Sequence, residues 1–125
     1  MGKKKVLVVD DNSLLSESLI DFLDLNKFVG IAAFDGKQAL EVLHVTPDIG
    51  LILLDILMPV MDGIQFIEAL RTELPDVFAN TPIIMLSAIA EHITMPDWAK
   101  EKVGKPVRYR QLMKLVEQHC LETTS

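Results

Sequence analysis

The sequence predicts an α/β fold in which a doubly wound, five-stranded parallel sheet is covered by helices on both faces. Three observations predict it. The apolar runs, of which Leu51-Ile52-Leu53-Leu54 is the clearest, show no polar alternation, as expected of strands buried on both sides. Between them lie stretches with apolar residues at helical spacing, so strand and helix alternate five times without a break. Four of the runs also end on polar groups: Val6-Leu7-Val8-Val9 at Asp10-Asp11, the central run at Asp55, Ile83-Ile84-Met85-Leu86 at Ser87, and the run ending Val103-Gly104 at Lys105-Pro106. Open α/β sheets keep their ligands at the carboxyl ends of the strands. Three carboxylates, a hydroxyl and an ammonium are therefore expected to share one pocket.

The elements follow in order. Lys5 to Val9 is the first strand, and Asn12 or Ser13 caps a helix with Leu15, Leu19, Phe22 and Leu23 inward and Glu17, Asp21 and Asp24 outward. Asn26-Lys27 ends it. Phe28 to Phe34 reads as strand two, and Asp35-Gly36 turns the chain into a helix through about Leu43. Thr46-Pro47-Asp48 is a loop before the central strand. Asp62 caps the third helix, with Ile67, Leu70 and Leu74 as its buried stripe, and Pro75 to Thr81 reads as a polar connection to strand four. Only seventeen residues separate Ser87 from Lys105, so the fourth helix must be short or irregular, about two turns at most. After Pro106, which suits a first helical turn, Tyr109, Leu112, Met113, Val116 and Cys120 form an amphipathic stripe. The tail from Glu122 to Ser125 is polar and is expected to fray.

Composition narrows the function. A chain of 125 residues is the size of one domain and can bury about two thirds of its unfolded surface. Eighteen acidic against twelve basic residues give a net charge of -6, which repels nucleic-acid backbones, and Lys3-Lys4-Lys5 reads as a solvated flank. No apolar run is long enough to cross a bilayer, and no apolar segment follows the basic N-terminus as in a signal peptide, so a cytoplasmic protein is expected. The lone Cys120 allows no internal disulfide and reads as a small core or boundary residue. His44, His92 and His119 show no zinc-ligand spacing and read as surface residues.

Asp10, Asp11 and Asp55 crowded at one sheet edge are not comfortably charged together unless a cation joins them. Magnesium takes oxygen ligands, keeps several waters and serves phosphate chemistry. With Lys105 and Ser87 beside it, such a site can hold a phosphoryl group, and Asp55 is then the nucleophile, forming an acyl phosphate.

These residues resemble a known family, the receiver domain of two-component response regulators, whose chemotaxis member is its familiar form. The resemblance rests on Val8-Val9-Asp10-Asp11-Asn12, on Leu54-Asp55-Ile56-Leu57-Met58-Pro59-Val60-Met61-Asp62-Gly63, on Leu86-Ser87-Ala88 and on Lys105-Pro106, in the family's order and over nearly the whole chain. It implies a flavodoxin-like sheet of order 2-1-3-4-5 and a single receiver domain over residues 1–125. It further implies that Asp55 accepts a phosphoryl group from a sensor histidine kinase or a histidine phosphotransfer protein. Asp10 and Asp11 would bind Mg2+ together with Asp55 and the Leu57 carbonyl. Ser87 and Lys105 would contact the phosphoryl oxygens, and the Lys105-Pro106 bond would be cis. Family members transmit the signal through an aromatic three residues before the lysine, a position held here by Lys102.

The implied function is a phosphorylation-dependent switch acting on a downstream target, with no direct nucleic-acid or membrane binding by this domain. It is no conventional enzyme beyond promoting its own Mg-dependent phosphorylation and slow hydrolysis at Asp55. Two rivals come from other classes. One is a pseudo-receiver, an interaction module indifferent to phosphorylation, suggested by Lys102 and the short fourth helix. The other is a haloacid-dehalogenase-type phosphatase, disfavoured because Val8-Val9-Asp10-Asp11-Asn12-Ser13 lacks a second aspartate two residues after the first.

Overall fold

Each apolar run becomes a strand, and each is parallel to its neighbours. The computed structural model describes residues 4–58 and 60–121; residues 1–3, Pro59 and the tail from Glu122 to Ser125 lie outside them. The order is β1 (Lys4–Val9), α1 (Ser13–Leu25), β2 (Phe28–Ala33), α2 (Gly36–Val45), β3 (Ile49–Asp55), α3 (Gly63–Glu73), α4 (Pro75–Asn80), β4 (Ile83–Ser87), β5 (Glu101–Gly104) and α5 (Tyr109–His119). The strands lie in the order β2-β1-β3-β4-β5, the expected flavodoxin-like arrangement. The sheet therefore turns both ways from β1, and the crevice between the carboxyl ends of β1 and β3 is where such folds place their chemistry.

Successive strand residues point to opposite faces, and this alternation builds two cores. Leu7, Val9, Ile52, Leu54, Ile83 and Met85 face α2 and α3. Val6, Val8, Leu51, Leu53, Ile84 and Leu86 face α1 and α5. All eight of Val6–Val9 and Leu51–Leu54 are completely buried, which is why these runs carry no polar residue.

The caps follow the sequence. Asn12 accepts from the Leu15 amide at 3.1 Å and starts α1, and Asp35 accepts from the Gln38 amide at 2.8 Å and starts α2. Asp62 and Gln65 form a reciprocal capping box at α3. The Gln38 side chain also takes the Phe34 amide at 2.9 Å, so β2 ends at Ala33 rather than Phe34.

Four expectations need correction. The polar connection over Pro75–Thr81 is the helix α4, with Pro75 in its first turn and Val77 and Phe78 packed against the first core. Pro opens a helix well because its missing N–H has no intrahelical partner there. The buried stripe of α3 is Phe66, Ile67 and Leu70; Leu74 is the junction between α3 and α4 and is only partly buried. Pro106 precedes α5 rather than starting it: Val107 packs inward first, and the helix begins at Tyr109. His119 is partly buried rather than a surface residue, with its Nε2 3.0 Å from Glu101 on β5, whereas His44 and His92 are exposed as expected. The short or irregular helix expected between β4 and β5 is, as the length limit required, no more than a single 3-10 turn at Ala90–His92.

Cys120 closes the stripe of α5, 6% exposed, and burial pushes its thiol from the usual 9.0 up to about 11. Because the folded state holds this proton more tightly than the unfolded chain, the stabilisation is complete below pH 9 and is lost as pH rises towards 11. Urea melts between pH 8 and pH 11 are expected to show that loss. Thiol reagents at neutral pH are expected to label Cys120 far more slowly in the folded protein than in urea.

Candidate functional site

Strand register assembles the site. Val9 pairs with Leu54, Asp55 with Leu86, and Ser87 with Gly104, so Asp10, Asp55, Ser87 and Lys105 emerge at one edge from four adjacent strands. Lys105 Nζ lies 2.8 Å from Asp10 Oδ2 and 3.3 Å from Asp55 Oδ2, bridging residues ninety-five and fifty positions away. Carboxylate oxygens of Asp10, Asp11 and Asp55 all lie within 4.8 Å of one another. Asp10 is completely buried, Asp55 is 4% exposed, and Asp11 faces solvent.

Backbone amides aim the two buried carboxylates. Asp10 Oδ1 accepts from the Asn12 amide at 2.9 Å, and Asp55 Oδ1 accepts from the Leu57 amide at 3.2 Å. Each Asp thus has one oxygen held by its own loop and the other turned towards Lys105. Burial, and then the Asp10 charge, raise the Asp55 pKa above the usual carboxylate range, against the opposing pull of Lys105 and the Leu57 amide. Burial works against a charged Lys105, but the Asp10 and Asp55 carboxylates outweigh it and raise its pKa. One ammonium facing three carboxylates leaves excess negative charge that invites a cation. An all-oxygen donor set with one exposed member, open to retained waters, fits Mg2+.

The β3–α3 loop is held at both ends. The Gly63 amide donates to the Ile56 carbonyl at 3.0 Å, and the Gly36 amide donates to the Met61 carbonyl at 3.2 Å. Gly63 has to be glycine because a Cβ there would stand 2.8 Å from Ile56 Cα and 3.0 Å from the Asp55 carbonyl oxygen. Val60 adopts φ 66°, a left-handed conformation costing a β-branched residue about 1–2 kcal/mol. The bonds flanking it hold the loop against that local preference.

Every site residue named from the sequence lies at this edge or on its loops. Ser87 is buried, and its Oγ accepts from the Ile89 amide at 3.1 Å. Leu57 sits on the β3–α3 loop with its side chain exposed and its amide on Asp55. The Lys105-Pro106 bond is cis. Two supporting groups went unread: the Asn12 amide, and Ser16, whose buried hydroxyl donates to the Asp10 carbonyl at 3.3 Å. Ser16 lies between the apolar positions Leu15 and Leu19, and the only signal for it was a small polar residue beside an apolar stripe.

Known proteins share both sequence and fold. The family model described as the response regulator receiver domain matches residues 6–117. The transcriptional regulatory protein CpxR of Escherichia coli (strain K12) is 42% identical over 113 residues, covering 87% of this chain and 46% of that protein. A probable transcriptional regulator, ycf27, of Cyanophora paradoxa is 34% identical over 136 residues, covering 100% of this chain and 54% of that protein. This chain therefore spans about half the length of these curated relatives. Among solved structures, the chemotaxis protein CheY4 of Vibrio cholerae superposes with a TM-score of 0.80 at 27% identity, covering 94% of this chain and 99% of that one. With the family's motifs matched across nearly the full sheet, the chain belongs to the response regulator receiver domain family.

Proposed function

We propose that this domain is a phosphorylation-dependent switch of a two-component system, in which Asp55 takes a phosphoryl group from a phosphohistidine on a sensor kinase or a histidine phosphotransfer protein. The observation that carries the reading is the convergence of Asp10, Asp11, Asp55 and Lys105 on one strand edge. Asp10, Asp11, Asp55 and the Leu57 carbonyl would hold Mg2+, which would offset the charge of the phosphoryl oxygens. The Asp55 carboxylate attacks phosphorus through Oδ2, while Oδ1 stays on the Leu57 amide. A P–O bond forms, the P–N bond breaks, and its electron pair returns to the imidazole. Lys105, already bridging Asp10 and Asp55, can turn its ammonium to the new oxygens, and Ser87 supplies a hydroxyl from the next strand. Water later hydrolyses the acyl phosphate and resets Asp55.

On this reading residues 1–125 form one receiver domain, and we assign it to the cytoplasm. Among the described residues, no helix is long and apolar enough to cross a membrane. The interaction-module alternative has only Lys102 and the missing helix behind it. Neither removes a group that phosphoryl transfer needs.

The test is a mass measurement. Incubated with Mg2+ and acetyl phosphate, the protein is expected to gain one phosphoryl group that disappears on standing. With EDTA replacing Mg2+ the gain is expected to fall at least tenfold, because the crowded carboxylates then repel the incoming donor. An unchanged mass at saturating donor would refute the reading.

A further inference from the structure

Asp11 is the one carboxylate of the three that nothing holds directly. It faces solvent, and among the described residues its side chain makes no hydrogen bond or ion pair, whereas Asp10 and Asp55 each have both. One of its oxygens nevertheless lies within 4.8 Å of oxygens of Asp10 and Asp55. What places it there is the backbone on either side. The peptide after Asp11 is held by the Asn12 amide, which donates to Asp10 Oδ1 at 2.9 Å. The peptide before it is held by the Asp10 carbonyl, which accepts from the Ser16 hydroxyl at 3.3 Å. A peptide unit is planar, so fixing that carbonyl also fixes the direction in which the chain enters residue 11.

Ser16 is an unusual residue for its place. It is completely buried on the face of α1 that carries Leu19 and Leu23 into the second core. An alanine there would fill much the same space and favour the helix more. Helical serine hydroxyls commonly return to the carbonyl one turn back. For Ser16 that carbonyl belongs to Asn12 and already takes the Ser16 amide at 3.0 Å, and the hydroxyl reaches past it to Asp10. The Asp10 amide donates to the Ala33 carbonyl at 3.1 Å. Among the described residues, Ser16 thus supplies the only hydrogen bond that the backbone of Asp10–Asn12 receives from a side chain outside the turn.

We propose that Ser16 is a positioning residue for the cation site: by holding the Asp10 carbonyl it sets the angle at which Asp11 joins the cluster, and so raises the affinity of the cluster for Mg2+. The inference rests on the reading of Asp10, Asp11 and Asp55 as Mg2+ ligands. Ser16 reaches neither the ion nor a phosphoryl group and acts through Asp11 alone. Groups standing behind metal ligands commonly change affinity about tenfold or more. This bond is long and serves one ligand of several, so its removal is expected to cost about three- to tenfold.

The parent, Ser16→Ala, Ser16→Thr, Asp11→Ala and the double variant carrying Ser16→Ala with Asp11→Ala are titrated with Mg2+, and binding is read from the amide NMR shifts with no phosphodonor present. Ser16→Ala is expected to bind about three- to tenfold more weakly, with a melting temperature near the parent's because the helix propensity of alanine offsets the lost bond. Ser16→Thr keeps the hydroxyl and is expected to bind as the parent does. In the double variant Ser16→Ala is expected to add nothing to the loss caused by Asp11→Ala, since the carboxylate it positions is gone. A general loosening of the fold would instead weaken binding equally in both backgrounds. That result, or unchanged affinity in Ser16→Ala, would overturn the inference. If the parent itself binds no Mg2+, the reading of the cluster fails, and nitrogen relaxation of the metal-free protein still decides whether Ser16 holds Asp11. Lower order at the Asp11 and Asn12 amides in Ser16→Ala, with Leu57 unchanged, is the expected result, and equal order in variant and parent would overturn that role.

Discussion

Asp55→Asn is expected to show no mass gain with Mg2+ and acetyl phosphate under conditions that phosphorylate the parent to completion. The amide has the carboxylate's shape but is not a nucleophile towards phosphorus, so the loss should reach background rather than a fraction of it. The control is that the variant stays folded. Its Oδ1 can still accept from the Leu57 amide, and Lys105 keeps its 2.8 Å contact with Asp10. The substitution also removes one of two like charges buried side by side, whose desolvation and, after it, mutual repulsion raise the Asp55 pKa. A melting temperature at or above the parent's is therefore expected. Residual phosphorylation, or a mass gain mapped to another residue, would show that the nucleophile has been misassigned.

Gly50→Ala is expected to be among the most damaging single substitutions outside the site, lowering stability by about 2–3 kcal/mol. The Leu121 amide donates to the Gly50 carbonyl at 3.0 Å, so the end of α5 is fastened to the first residues of β3. A Cβ on residue 50 would stand on the Leu121 carbonyl oxygen, with Cys120 Sγ at 3.1 Å. Backbone cannot rotate away as a side chain can. No described glycine has positive φ, so alanine brings no conformational penalty at this position and would by itself be mildly stabilising. The expected loss is therefore purely steric, and a thermal melt should register it as a fall of about 10 °C. Gly104→Ala is the comparison, because a Cβ there meets nothing within 4 Å and should leave the melt close to the parent's.

The contrast between those two glycines marks where reading a sequence stops. The strands were legible because full burial leaves its own trace: Val6–Val9 and Leu51–Leu54 tolerate no polar residue on either face. The caps at Asn12, Asp35 and Asp62 were legible because a short polar side chain before a helical stripe has one main use. Helix α4 was not, since six residues give no periodicity to read and Pro75 suits a loop as well as a first turn. Nor was the extent of the β4–β5 connection, where a length limit excluded a long helix but could not distinguish a short one from a 3-10 turn. The crowding at Gly50 leaves no local trace, since only the return of α5 to the sheet brings the Leu121 carbonyl to where a Cβ on residue 50 would stand.

The chain's own residues determined the strand and helix alternation, and with it the polar groups waiting at the carboxyl ends of four strands. Pattern is enough for that, because burial and backbone geometry act locally on every strand and helix. Folding alone decided which of those groups meet and how each is aimed. Lys105 reaches both Asp10 and Asp55 because the strand order puts β1 beside β3 and the register aligns their ends, and Lys102 finds the Ile93 carbonyl because the connection is too short for a helix. Distances of this kind depend on contacts between residues far apart along the chain, and no local pattern carries them.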